Sequence, residues 1–238
     1  MSELTVFIPE ELREKEWVNI PEEELKHLKV RRAKEGAEIT ILNGKGFEAK
    51  ARLHLKEKKA HIEQVKDITY RELPIKVNLY QGVLKSDKMD WVIQKATELG
   101  VSSITPLITS RTVAKVKREK RARWQKIAQE ALKQCRRAVL PEINQAVSVK
   151  EARWEGECLL LWENSKKGLK EALIQLPALK ELNIIVGPEG GFSREEAELL
   201  IKKGAKDVSI GEVILRSETA SVYILSVIKF LGKEHWRP

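Results

Sequence analysis

A chain of 238 residues with 42% hydrophobic residues can bury a real core in one large domain or two smaller ones, which excludes a disordered polyelectrolyte. Its two cysteines, Cys135 and Cys158, are too few for a disulfide framework or a cysteine zinc site, and neither a leader pattern nor a membrane-length apolar run occurs. The net charge of +9 is concentrated: residues 1–70 hold 14 basic and 14 acidic residues, whereas residues 111–137 hold 11 basic residues against Glu119 and Glu130. That local excess favours a polyanion such as nucleic acid, and a cytoplasmic protein is expected.

In chain order, the N-terminal part reads as short strands. PEEELKHLKVRRA has helical spacing. AEITILNGKGFEAKARLHL predicts a hairpin with Asn43-Gly44 as its two-residue turn, and KAHIEQVKDI predicts a further strand. Residues 1–71 are therefore expected to form a small β-barrel or sheet, with a boundary near Arg71, Glu72, Leu73 and Pro74.

From Ile75 strands alternate with helices. IKVNLYQ predicts a strand, after which Ser86 or Asp87 caps a helix carrying Met89, Val92, Ile93, Ala96 and Leu99 on one stripe and ending at Gly100. SITPLI is the next strand. The basic segment predicts a long helix stopped before Pro141, with Trp124, Ile127, Ala128, Ala131 and Leu132 on its apolar stripe. CLLLW, LNIIV and KDVSI predict three more strands, with helices from about Lys167 and from Ser193. A last helix spans residues 217–230. Strands separated by helices of this length predict an α/β fold with a parallel sheet covered on both faces over residues 72–238.

Two turns carry the chemistry. In NIIVGPEGGFSREEAELL a buried strand stops at a knot of glycines, and Ser193 with Glu196 forms a capping box for the following helix. Backbone N–H groups of such a turn face the crevice beyond the strand end, where open parallel sheets hold their ligands. The spacing matches neither the dinucleotide fingerprint nor a phosphate loop. By itself the turn fits a ligand loop and a purely structural connection equally. In SIGEVILRSETASVYIL, Arg216 stands beside a helix start, where dipole compensation prefers an acid. Either a ligand or substrate role, or pairing with Glu189 or Glu218, accounts for it.

GPEGGFSREEAELL together with LRSETA resembles the C-terminal signature of the RsmE-type RNA methyltransferases of the SPOUT class. LKSDKMDWVIQKATELGVSSITPLITSRT, EALKQCRRAVLPEI and HLKVRRAKEG resemble further blocks of that family, in the right order and over nearly the whole chain. Arg136 stands where many members carry glycine, and TVFIPE departs from the family's aromatic-rich start. The resemblance implies a PUA-like RNA-binding β-barrel over residues 1–71 and a SPOUT-type α/β methyltransferase domain with a trefoil knot over 72–238. It also implies a homodimer, S-adenosyl-L-methionine as cofactor, and methylation of uridine N3 in small-subunit ribosomal RNA.

By the same analogy Leu161, Gly187, Ile210 and Leu215 hold the adenine, and Gly190, Gly191 and Gly211 permit close approach. Uridine N3 must lose a proton before it attacks. Arg216 is the expected stabiliser of the resulting charge, and Glu189 or Glu218 the expected proton acceptor. Since N3 lies on the pairing edge, the base must be unpaired or extruded. Lys115, Lys117, Arg118, Arg121 and Arg123, with Lys29, Arg31, Arg32 and Lys34, are the expected phosphate contacts, and Trp236 is the tryptophan best suited to stacking. A non-catalytic ribosome-assembly factor and a ribose 2′-O-methyltransferase are the competing readings.

Overall fold

Short strands with alternating burial build the first third of the chain. In the computed structural model, which describes residues 4–112, 118–176 and 179–232, with the backbone alone at Ser86, Arg118 and Glu119, the chain divides into two compact units. One comprises residues 1–72 and 129–140, the other residues 73–128 and 141–238.

The first unit contains β1 (Thr5–Phe7), β2 (Trp17–Asn19), α1 (Glu22–Val30), β3 (Glu38–Leu42), β4 (Phe47–His54) and β5 (Lys59–Asp67). They make a five-stranded sheet ordered β1-β3-β4-β5-β2, antiparallel except where β1 joins β3. Period-two alternation sets its inner face: Ala49, Ala51 and Leu53 of β4 are fully buried with Ile39, Ile41 and Ile62 of neighbouring strands, while Arg52 points outward. The expected two-residue hairpin turn is instead a four-residue connection, residues 43–46. Asn43 explains it, because its side-chain oxygen accepts the N–H groups of both Lys45 (2.9 Å) and Phe47 (3.1 Å), replacing ladder bonds with a local turn. The strands β1 and β2, three residues each, are too short for periodicity to reveal.

Residues 129–140 belong to this unit through a buried ion pair. Glu72 accepts Arg137 Nε at 2.8 Å and the N–H groups of Ala138 and Val139 at 2.9 and 3.0 Å, and Arg137 is only 6% exposed. Glu72→Leu removes the acceptor of these three donors, so the free energy of unfolding is expected to fall by about 3 kcal/mol, read by urea denaturation. Arg136, in the position where the resembled family has glycine, adopts φ 54°, the left-handed region glycine favours.

The second unit alternates β6 (Lys76–Gly82), α2 (Ser86–Leu99), β7 (Ser103–Ile108), α3 (Arg118–Cys135, its last turns in the first unit), β8 (Glu142–Ile143), β9 (Val147–Ser148), β10 (Glu157–Leu161), α4 (Leu169–Ile174), β11 (Glu181–Val186), α5 (Arg194–Lys202), β12 (Lys206–Val208) and α6 (Ser217–Gly232). The sheet order is β12-β10-β11-β6-β7-β8, with β9 also on β7, and every pairing is parallel. Successive residues of β10 and β11 are buried whichever way they point, as a sheet covered on both faces requires. Gly100 ends α2 with φ 100°, as expected, but neither Ser86 nor Asp87 caps its start. Lys85 holds the cap position and its N–H is drawn to Glu189 Oε1 (3.2 Å) across the sheet end. No helix among the described residues is long and apolar enough to cross a membrane.

Candidate active site

Four parallel strands, β6, β10, β11 and β12, end on the same side, and the loops leaving three of them surround one cavity of 390 Å3. Every residue expected to touch the cofactor or the reacting base lines it: Leu161, Gly187, Gly190, Gly191, Ile210, Gly211 and Leu215, with Glu189, Arg216 and Glu218. The two loops that the sequence separates by about twenty residues are therefore neighbours.

A buried polar network holds them together. Gln81, fully buried at the end of β6, donates from Nε2 to Ser217 Oγ at 3.0 Å and accepts Ser221 Oγ at 2.5 Å. Ser217 Oγ in turn donates to the Gly187 carbonyl at 2.5 Å. One amide thus ties the end of β6 to the first turns of α6, and α6 to the glycine turn. Networks of this kind fix a single arrangement because each unmatched member would be costly.

The glycine turn has its own supports. A β-carbon on Gly82 would lie 2.5 Å from the Gly187 carbonyl carbon and closer still to the Pro188 nitrogen, so the two backbones touch only because Gly82 has no side chain. Gly191 takes φ 67° before the capping box of α5, where Ser193 Oγ accepts the Glu196 N–H at 3.2 Å and Glu196 accepts the Ser193 N–H at 3.0 Å. Glu196 also accepts the Ser110 N–H at 2.6 Å, and Arg111 donates to the Gly190 carbonyl at 2.7 Å, clamping the turn from the β7 side. On the far wall Ser209 is held by the Lys167 carbonyl (2.7 Å). Burial opposes the charge of nearby Asp207, yet bonds from Lys167 and Ser165 keep its pKa below the ordinary value. Cys158, deep in β10, is pushed well above the ordinary thiol range by burial and is no nucleophile.

The charged groups divide in a way the sequence does not suggest. Glu189 and Glu218 pair with Lys88, whose Nζ lies 3.8 Å from Glu189 Oε1 and 3.3 Å from Glu218 Oε1. Arg216 is exposed at the cavity rim and has no ion pair among the described residues, so the alternative of pairing with either acid does not hold. Lys88, Gln81, Trp162 and Arg111 are the site residues that sequence reading misses. Lys88 and Arg111 sit inside quoted motif blocks, but nothing local marks their partners, Glu189 and Glu218 for Lys88 and Gly190, 79 positions on, for Arg111.

The cavity suits an S-adenosyl group. Leu161, Val186, Val208 and Ile210 offer apolar surface for a base beside exposed backbone edges, in a volume typical of ligand pockets, about 300–1,000 Å3. Two of its lining residues carry buried polar atoms without a partner among the described residues, the Trp162 indole N–H and Glu218 Oε2. Unspent hydrogen-bonding capacity in a cavity wall is what a ligand would use.

The expected phosphate contacts are only partly gathered. Lys29, in the last turn of α1, and Arg31, Arg32 and Lys34, just after it, are all exposed. Arg121 donates to the Ile143 carbonyl at 2.7 Å and Arg123 pairs with Asp90 at 2.5 Å, so these two arginines also have structural partners. Lys115, Lys117 and Trp236 lie outside the described residues, as does the side chain of Arg118.

Comparison with known proteins agrees with this geometry. The RNA methyltransferase domain family matches residues 71–229 and the RNA methyltransferase PUA domain family matches residues 20–65. Ribosomal RNA small subunit methyltransferase E of Bacillus subtilis is 35% identical over 237 residues, with 93% of each chain covered, and that of Aquifex aeolicus is 36% identical, covering 94% of this chain and 98% of the relative. The crystal structure of the Neisseria gonorrhoeae enzyme of that name bound to S-adenosyl methionine superposes with a TM-score of 0.88 at 30% identity, covering 96% of this chain and 98% of the other. A putative methyltransferase of Legionella pneumophila with bound cofactor gives 0.87 at 34% identity, covering 97% and 98%. A PUA-like domain followed in the chain by a parallel-sheet domain with its cavity at the strand ends defines an RNA methyltransferase of the SPOUT class. Within that class, the chain belongs to the ribosomal RNA small subunit methyltransferase E family.

Proposed function

We propose that this protein transfers a methyl group from S-adenosylmethionine to N3 of an unpaired uridine in small-subunit ribosomal RNA. The observation that carries the proposal is the convergence of the 187–191 and 210–218 loops on one cavity that joins an apolar slot to two carboxylates and a guanidinium with no ion pair among the described residues. The cofactor supplies an electrophilic methyl on a sulfonium. Leu161, Gly187, Ile210 and Leu215 hold its adenine through backbone, with Gly190, Gly191 and Gly211 leaving room. Glu189 or Glu218 receives the N3 proton. Arg216 stabilises the negative charge that spreads to the ring oxygens, a role for fixed cations in water-poor sites. The exposed Lys29, Arg31, Arg32 and Lys34, and the basic residues of α3, hold RNA phosphates.

The knot and the homodimer follow from the same reading. Support for the dimer comes from an apolar groove of 320 Å3 between α4 and α6, lined by Leu169, Leu173, Ile174, Tyr223, Val227 and Leu231. Ile174 in it is 71% exposed, so this groove presents a contiguous apolar patch that a second copy would cover. Methyl transfer to RNA accords with an interior of the cell, where its substrate is.

Incubation of unmodified small-subunit RNA, and of assembled subunits, with labelled cofactor is expected to yield 3-methyluridine on mass analysis of the digest. A methyl on ribose would favour the 2′-O reading, and absence of both transfer and cofactor binding would favour a non-catalytic assembly factor.

A further inference from the structure

Lys88 stands on the first turn of α2 and enters the cavity lining with its ammonium between the two acids. The two carboxylates are not equivalent. Glu189 is a third exposed and already receives a second donor, the Lys85 N–H, so both contacts bind it to the start of α2. Glu218 is 14% exposed, sits nearer the ammonium, and keeps Oε2 buried without a hydrogen-bond partner among the described residues. An acid fixed through one oxygen and unpartnered at the other keeps accepting capacity on one side only. An acid held through one oxygen by a hydrogen bond from Lys85 and an ion pair with Lys88 is a latch.

Resting on the methyltransferase reading above, we propose that Lys88 is the positioning residue that orients Glu218 to receive the N3 proton while securing Glu189 as the latch that joins α2 to the glycine turn. In the step so arranged, the N3–H proton passes to Glu218 Oε2 and the N3 electron pair forms the bond to the methyl carbon. The electrons of the breaking carbon–sulfur bond stay on sulfur, giving 3-methyluridine, S-adenosylhomocysteine and a protonated Glu218 that returns its proton to water. Lys88 touches neither the methyl group nor the base. Its ammonium keeps Glu218 aimed, so its loss acts on the rate of the step rather than on occupancy of the cavity.

The test uses the full chain as wild type, Lys88→Gln, Lys88→Met and Lys88→Arg, with S-adenosylhomocysteine binding read by calorimetry, and kcat and KM read on small-subunit RNA. Lys88→Gln and Lys88→Met are expected to lose about 100-fold in kcat, with KM for RNA and Kd for S-adenosylhomocysteine within about threefold of wild type. Lys88→Arg, which retains a cation that can pair with both acids, is expected to recover kcat to within about tenfold of wild type. A neutral variant with kcat within about threefold of wild type overturns the role, as does a loss confined to KM or to cofactor binding, or a Lys88→Arg no faster than Lys88→Gln. A wild-type protein that transfers no methyl to the RNA overturns the underlying reading itself, an outcome separate from an active enzyme indifferent to Lys88.

Discussion

Arg216→Ala is expected to lower methyl transfer by about 10²–10³ while leaving cofactor binding and thermal stability close to wild type. Removing the N3 proton spreads negative charge over the two flanking oxygens of the ring, and a preorganised cation lowers that barrier because it is already in place when the charge develops. On the proposed function Arg216 is the group placed for this role. It precedes α6 at the rim of the cavity, and no carboxylate of the described residues neutralises it. Glu189 and Glu218, the acids that would have done so, are engaged by Lys88. Because the guanidinium is exposed, its deletion opens no void in the core, so a stability loss beyond about 0.5 kcal/mol would point to a structural role. Steady-state kinetics with calorimetry of S-adenosylhomocysteine checks both halves, and an Arg216→Ala enzyme of undiminished kcat would remove the residue from the chemistry.

Gly82→Ala is expected to be the most damaging single methyl group in the catalytic unit. The added carbon falls onto the backbone between Gly187 and Pro188, closer than real β-carbons approach other atoms, and backbone cannot yield by rotating as a side chain does. Overpacking of this kind costs about 1–3 kcal/mol, and more where the neighbour is immobile. The damage extends beyond stability. The Gly187 carbonyl accepts Ser217 Oγ, and Ser217 is bonded to Gln81 beside the substituted residue, so a shift of the turn strains the whole network joining β6, the glycine turn and α6. A fall of several degrees in Tm together with loss of S-adenosylhomocysteine binding is the expected outcome, read by calorimetry of unfolding and of binding. Gly168→Ala serves as the control, since a β-carbon there meets nothing within 4 Å. If both variants bind cofactor equally well, the close approach at Gly82 does not shape the pocket.

Much of the fold is legible in residue order because local rules act there without competition. The alternation of buried and outward residues in β4, the stripe of Met89, Val92, Ile93 and Ala96 on α2, and the Ser193–Glu196 box each depend on neighbours within a few positions. Local rules fail where a distant group intervenes. The start of α2 is not capped by Ser86 or Asp87, since Lys85 is drawn to a carboxylate 104 positions later. The turn after β3 is lengthened by a side chain that satisfies two backbone donors itself. Three-residue strands show no period at all. The return of residues 129–140 to the first unit rests on Glu72 and Arg137, 65 positions apart and each ordinary in its own surroundings.

The site divides along the same line. Residue order alone determined which turn is glycine-rich, that both loops follow strands of a parallel sheet, and that a cation and two acids stand in or beside them, because spacing, capping and turn chemistry are short-range properties of a chain. Only the tertiary structure decided which charge meets which. It gave both acids to Lys88, left Arg216 open to a ligand, and buried Gln81 between the loops, since electrostatic and hydrogen-bond partners are chosen by distance in space, which strand order sets and sequence separation does not.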